Sequence, residues 1–176
     1  MEIQILNWLQ SLHTPILDKI MQLITHLGDM GIIWIILTIV MLLIPKTRKS
    51  GVIMAAALIV DVLLCNVILK NLVGRIRPFD VNPWIQLLIP EPKDFSFPSG
   101  HTAASFASVT ALYLVGEKKM WKPALVLAIL IAFSRMYLYV HYPTDILGGI
   151  IFGSLSAWIG YRISTKVMLY AMMKKE

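Results

Sequence analysis

The chain has little of what would mark a disulfide scaffold, a repeat protein or a multidomain assembly. It contains one cysteine. Cys65 lies in an apolar run, cannot form an intrachain disulfide and is expected to serve packing, so it leaves the redox compartment unread. No repeat of 20–50 residues, low-complexity tract or linker interrupts the 176 residues, so a single domain over 1–176 is expected. No basic segment precedes the first apolar stripe and no small-residue cleavage site follows it, so a signal peptide is not expected. Acidic residues are fewer than basic ones, 10 against 16, for a net charge of +6. The basic residues are divided among short loops between apolar segments, which suits membrane topology and argues against a nucleic-acid groove.

What the chain has in abundance is apolar side chains: 57% of residues are hydrophobic, above the roughly 45–50% usual in soluble domains. An integral membrane protein in contact with bilayer lipids follows, with an all-α, polytopic helical bundle as its fold. Five strong apolar segments, at about 30–45, 51–72, 102–116, 123–140 and 146–170, are expected to be transmembrane helices. Crossing roughly 30 Å of hydrocarbon takes about 20 residues, so the shorter segments must extend into polar flanks or meet a thinner bilayer.

The N-terminal region is different. Ile5, Trp8, Leu9 and Leu12 form one helical stripe. Thr14-Pro15 then has the form of a helix start, a capping hydroxyl followed by proline at the first helical position. Ile16, Leu17, Ile20, Leu23, Ile24 and Leu27 form a second stripe opposite Asp18, Lys19, Gln22 and His26, and Gly28 is a plausible stop. Such a region is expected to be interfacial or partly embedded, and would make a sixth span if it crosses. His26 is expected to be a surface or packing histidine.

Loop charge sets the topology. Lys46, Arg48 and Lys49, then Lys118, Lys119 and Lys122, then Lys174 and Lys175 mark three cytoplasmic places by the positive-inside rule. The connections 73–101 and 141–145 then lie on the opposite, extracytoplasmic side. Lys70, Arg75, Arg77 and Arg135 are cations on the side where the rule disfavours them, which implies an anion that holds them there. Asp61 and Asn66 sit within a span and are expected to be interior hydrogen-bonding groups, with a place on the substrate path as the alternative. Between Phe79 and Phe97, prolines 83, 90 and 92 prevent a long helix around the run Ile85–Ile89. Trp84 there suits the headgroup region, in a plain surface loop or a flap that admits a lipid.

The chemistry concentrates around Phe97-Pro98-Ser99-Gly100-His101-Thr102, a polar turn leading into an apolar segment. The first turn of a helix carries unpaired N–H groups and partial positive charge, so it favours an oxyanion. Ser99 adds a hydroxyl, Gly100 permits close backbone approach, and His101 can exchange a proton near neutral pH. Upstream stand Lys70 and Arg77-Pro78; downstream stand Ser134-Arg135, His141 and Asp145.

In order and spacing these three clusters resemble the signature of the type 2 phosphatidic acid phosphatase superfamily, membrane lipid phosphatases related to the vanadium haloperoxidases. The resemblance implies a phosphate held by Lys70, Arg77, Arg135, the Ser99 hydroxyl and the Gly100 N–H. It also implies His141 as nucleophile with Asp145 fixing its tautomer, and His101 as the acid that protonates the leaving group and later activates water. Residue types alone do not divide these tasks between the two histidines.

His101, His141 and Asp145 could offer zinc ligands, but three neighbouring cations oppose a metal, and neither metal nor cofactor is expected. The expected substrate is a lipid phosphate or pyrophosphate at the outer leaflet, with undecaprenyl pyrophosphate first. Phosphatidylglycerol phosphate, phosphatidic acid and other prenyl pyrophosphates are the alternatives, because the signature reads the phosphate and not the tail. A lipid translocator would need the cations but has no use for a His141–Asp145 pair, and a vanadate-dependent peroxidase would be expected in a soluble chain. Oligomeric state is left open.

Overall fold

The computed structural model describes residues 1–174, all helix, turn and coil with no strand among them. The basic end group at Lys175 lies outside the described residues. Helix α1 (Glu2–Gln10) precedes α2 (Pro15–Leu27), which starts as the sequence indicates: the Thr14 hydroxyl accepts from the Leu17 N–H and Pro15 takes the first helical position. A short tight turn, Asp29–Gly31, leads to α3 (Ile32–Leu43). Helix α4 (Arg48–Asp61) continues through a π-helical stretch, Val62–Leu69, into the single turn α5 (Lys70–Val73), where Gly74 ends it in the left-handed conformation. After the short α6 (Pro78–Val81), the proline-rich chain runs without helix to Ser99. The bundle closes with α7 (Gly100–Val115), α8 (Trp121–Tyr137) and α9 (Pro143–Met173).

Helix α7 is the centre, packed on α9, α8 and α4, while α9 also lies along α4 and α3 packs on α4. The close crossings depend on missing side chains. A Cβ on Gly153 would stand 2.2 Å from the Ala103 carbonyl oxygen, and one on Gly160 would stand 2.6 Å from the Ala57 nitrogen. Removing those Cβ atoms lets α9 lie backbone to backbone on α7 and α4, which aligns the starts of α7 and α9. There the Ser99 N–H donates to the Asp145 carbonyl at 3.1 Å. At the other end of the bundle the Ser50 hydroxyl donates to Glu117 at 2.6 Å, joining two of the basic connections.

By length and hydropathy, Arg48–Val81 and Pro143–Met173 each suffice to cross a membrane; Pro15–Leu27 with Asp29–Leu43, bent by 43°, makes a third if counted as one span. Helices α7 and α8, with 16 and 17 residues, reach only roughly 24–26 Å at 1.5 Å per residue. The N-terminal region is not a loose appendage. Leu6, Leu9 and Met21 are buried with Phe79 and the Tyr137–Val140 turn in one apolar cluster. Gln10 donates to the Tyr137 carbonyl at 3.0 Å, and the Tyr139 hydroxyl donates to Asn7 at 2.6 Å. That cluster is the mount on which His141 sits.

Candidate active site

Six of the eight residues marked in the sequence, Lys70, Arg77, Gly100, His101, Arg135 and His141, line one cavity of about 420 Å³ at the end of the bundle opposite Ser50 and Glu117. Five stretches deliver them: α5, the residue ahead of α6, the first turn of α7, the last turn of α8, and the short link into α9. The cations are buried, with Lys70 6%, Arg77 3% and Arg135 3% exposed. Burying three cations together is costly unless anions answer them.

One answer is internal. Asp94, in the proline-rich connection, accepts from Arg77 Nη2 at 2.6 Å and forms an ion pair with Lys70 Nζ. Arg77 also donates through Nε to the Asp94 carbonyl at 2.8 Å and through Nη1 to the Val140 carbonyl at 2.7 Å. Burial alone would raise the Asp94 carboxyl, but the hydrogen bond and charge of Lys70 and the charge of Arg77 outweigh it and bring it down to about 2. Arg135 is committed less completely: its Nη1 donates to Thr25 Oγ1 at 2.6 Å, and its buried Nε has no partner among the described residues.

His141 is 1% exposed. Its Nε2 lies 3.3 Å from Arg77 Nη1, and its Nδ1 faces Asp145 Oδ2 at 3.4 Å and Ser96 Oγ at 3.5 Å. It belongs to the link between α8 and α9. Burial, reinforced by Arg77, Arg135 and Lys70, holds its pKa well below the usual histidine value, so the ring is neutral at physiological pH. Asp145 does not line the cavity; it stands behind the ring. Proline at position 143 starts α9 and puts Asp145 in its first turn, where one oxygen accepts from the Tyr142 N–H at 2.8 Å and from the Ser96 hydroxyl. Its other oxygen accepts from Arg75 Nη1 at 2.7 Å. Arg75 in turn lies over the Tyr142 ring and donates to Glu2 at 2.6 Å, so α1 reaches the back of the His141–Asp145 pair.

Ser99 is buried as the cap of α7: its oxygen accepts from the Thr102 N–H at 3.4 Å and from the Thr102 hydroxyl at 3.0 Å, and it is not among the cavity's lining residues. At Gly100 the space a side chain would need is taken by Asn66, whose Oδ1 would be 2.9 Å from an added Cβ. Asn66 and Asp61 both line the cavity, and neither Asp61 oxygen has a hydrogen-bond partner among the described residues. Their place in the cavity lining matches the substrate-path alternative for these two residues better than a purely interior hydrogen-bonding use. His26 is on the surface as expected, yet it has company: its Nδ1 lies 2.7 Å from Asp29 Oδ2, and Asp29 Oδ1 lies 2.9 Å from His101 Nε2.

Asp94, Ser96, Asp29, Thr25 and Glu2 are thus members of the site that motif reading passed over. Asp94 and Ser96 stand next to the Pro-Ser-Gly-His turn, so a carboxylate and a hydroxyl there were available as a signal. Glu2, Thr25 and Asp29 are separated from their partners by 70 residues or more, and no local pattern marks them.

The family model described as the PAP2 superfamily matches residues 46–169. The chain belongs to the PAP2 superfamily. It is a lipid phosphatase of the PAP2 type, and its apolar helices and this kinship make it a membrane protein. An undecaprenyl-diphosphatase of Sulfolobus acidocaldarius is 34% identical over 76% of this chain and 64% of its own length. The undecaprenyl-diphosphatase BcrC of Bacillus subtilis is 31% identical over 86% of this chain and 77% of its own. Among solved structures, Aquifex aeolicus LpxE superimposes with a TM-score of 0.79 at 25% identity, covering 92% of this chain and 94% of that one. The first transmembrane PAP2 type phosphatidylglycerolphosphate phosphatase from Bacillus subtilis gives 0.76 at 30% identity, covering 94% and 85%.

Proposed function

We propose that this PAP2 member, acting as one domain over 1–176 with five transmembrane helices, hydrolyses a lipid pyrophosphate at the extracytoplasmic face through a phosphohistidine. Undecaprenyl pyrophosphate is the first candidate substrate. The observation that carries the reading is a buried His141, backed by Asp145, opening onto a cavity shared with Lys70, Arg77, Arg135 and His101.

Phosphoryl transfer needs charge neutralisation, an in-line nucleophile and a proton for the leaving oxygen. The incoming phosphate displaces Asp94 from Lys70 and Arg77 and takes the free Nε of Arg135. The Gly100 N–H at the start of α7 completes the cradle; Ser99, which caps that helix and does not line the cavity, holds the turn in place. His141 Nε2 forms a bond to phosphorus while Asp145 holds the other ring nitrogen, and the bond to the leaving phosphate breaks as His101 gives it a proton. His101 then takes a proton from water, the hydroxide breaks the phosphorus–nitrogen bond, and inorganic phosphate leaves with His141 regenerated. Each step is complete without a metal.

The placement outside the cytoplasm rests on the basic connections: Ser50 and Glu117 join two of them at the end of the bundle away from the cavity. The substrate preference rests on the relatives named undecaprenyl-diphosphatase; the phosphatidylglycerolphosphate phosphatase among the solved structures makes that lipid the second candidate. The test is phosphate release by protein purified in detergent with EDTA present, from undecaprenyl pyrophosphate, phosphatidylglycerol phosphate and phosphatidic acid side by side. Release fastest from the first, abolished by His141→Ala in a folded protein, is the expected result. Binding without release would instead favour a translocator, and activity surviving His141→Ala would remove it as nucleophile.

A further inference from the structure

The mechanism assigns His101 a proton to give and then to take, but a lone imidazole does not define which nitrogen exchanges it. We propose that Asp29 is a positioning residue for His101, forming a second carboxylate–imidazole pair that commits Nε2 to the carboxylate and leaves Nδ1 as the nitrogen that exchanges the proton. The inference rests on the phosphatase reading above and extends it to a residue outside the three clusters.

The geometry is specific. Asp29 Oδ1 lies 2.9 Å from His101 Nε2. Asp29 is carried by the turn between α2 and α3, in which Met30 and Gly31 are both left-handed, at φ 51° and 70°. That conformation is costly for methionine, and it accompanies the 43° bend between α2 and α3 at which the turn meets His101. A Cβ on Gly28 would stand 2.8 Å from His101 Cδ2, so the backbone itself seats the imidazole. One turn earlier on α2, Thr25 holds Arg135 at 2.6 Å. The end of α2 and the turn after it therefore fix two of the cavity's groups, a task that an interfacial helix without a part in the site would not have.

The charges around His101 explain why a carboxylate is needed. Arg135, Lys70 and His141 share its cavity, and the two cations oppose a protonated ring. Asp29 is the carboxylate that contacts the ring directly, and its second oxygen is held by the surface His26 at 2.7 Å. A carboxylate on Nε2–H stabilises the imidazolium that donates from Nδ1. Once that proton has gone to the leaving oxygen, the ring remains protonated at Nε2 and Nδ1 is a base toward water. This is the arrangement Asp145 provides for His141, turned to acid–base work.

Leaving-group dependence separates this role from a merely structural one. Protein in detergent is assayed for kcat/KM, which reports phosphohistidine formation, with dodecyl phosphate, whose alkoxide must be protonated, and para-nitrophenyl phosphate, whose phenolate need not be. General-acid contributions are typically about 10²–10⁴-fold. Asp29→Asn is expected to lower the dodecyl phosphate value by about 30-fold or more and the para-nitrophenyl phosphate value by less than about threefold. Asp29→Glu, which keeps the carboxylate, is expected to recover most of the loss. Equal losses on both substrates, no loss on dodecyl phosphate, or an Asp29→Glu variant as slow as Asp29→Asn would overturn the inference. His101→Ala is the control for the reading beneath it: if that variant shows no leaving-group dependence, the acid role of His101 fails, whatever Asp29 does.

Discussion

Asp94 occupies Lys70 and Arg77, the two cations that the proposed mechanism gives to the substrate phosphate, so neutralising it should tighten anion binding. In Asp94→Asn the side chain keeps its shape and can still accept from Arg77, but the charge facing Lys70 and Arg77 is gone. Asp94 is 55% exposed while its partners are buried, so solvent screens one side of the pair. Exposed pairs are worth about 0.2–1 kcal/mol, and the upper end applies because both cations are held in the wall of the cavity. A closed state favoured by about 1 kcal/mol leaves roughly one molecule in six open, and apparent affinity is reduced by that fraction. Asp94→Asn should therefore lower the inhibition constant for vanadate about sixfold, and lower KM similarly with a smaller change in kcat. The assay is vanadate titration of phosphate release at fixed ionic strength, repeated at pH 5 and pH 8. Because the Asp94 carboxyl stays ionised down to about 2, the ratio of variant to wild type should be the same at both. A vanadate constant that is unchanged or weakened in a folded variant would refute the view of Asp94 as an internal competitor, and would make it part of the phosphate site instead.

Three further outcomes follow from the same contacts. The buried, neutral His141 binds a proton in the unfolded chain below its ordinary value of 6.5 but not in the folded one, so folding stability should fall as pH drops from 7.5 to 5. His141→Gln should flatten that slope in thermal unfolding, and an unaltered slope would contradict a neutral ring. Arg135→Lys should reduce kcat/KM by about 10²-fold or more, because a point charge cannot hold Thr25 and phosphate oxygens at once as a planar fork does; near-normal turnover would show that charge alone suffices. Gly153→Ala forces a methyl against the Ala103 carbonyl, two residues from His101. It should cost about 2 kcal/mol in detergent stability and lower activity along with it, whereas an unchanged melting temperature would mean that α9 shifts freely.

Reading from residues reached the helices and the cluster of the site because both leave local traces. Apolar segments, the Thr14-Pro15 start, the Pro143 start and the polar turn at Ser99 each reveal themselves within a few residues, since helix hydrogen bonds and caps span only three or four positions. The three charged clusters could be grouped because each stands at the end of an apolar segment on the same side by loop charge. The number of spans could not be read so directly: α7 and α8 are short for a bilayer, and α2 with α3 forms a bent pair whose membership as one span depends on their packing.

The amino-acid order by itself determined an all-helical membrane chain with a cationic, histidine-bearing cluster built from residues 70–77, 98–101 and 134–145. Tertiary structure alone decided what those residues answer to: Asp94 on Lys70 and Arg77, Asp29 on His101, Thr25 on Arg135, and Glu2 through Arg75 on Asp145. These pairings join positions 17 to 110 residues apart. A hydrogen bond depends on where two side chains are in space, and for pairs so separated that is set only when α9 closes onto α7 and the N-terminal helices dock on the turn ahead of His141.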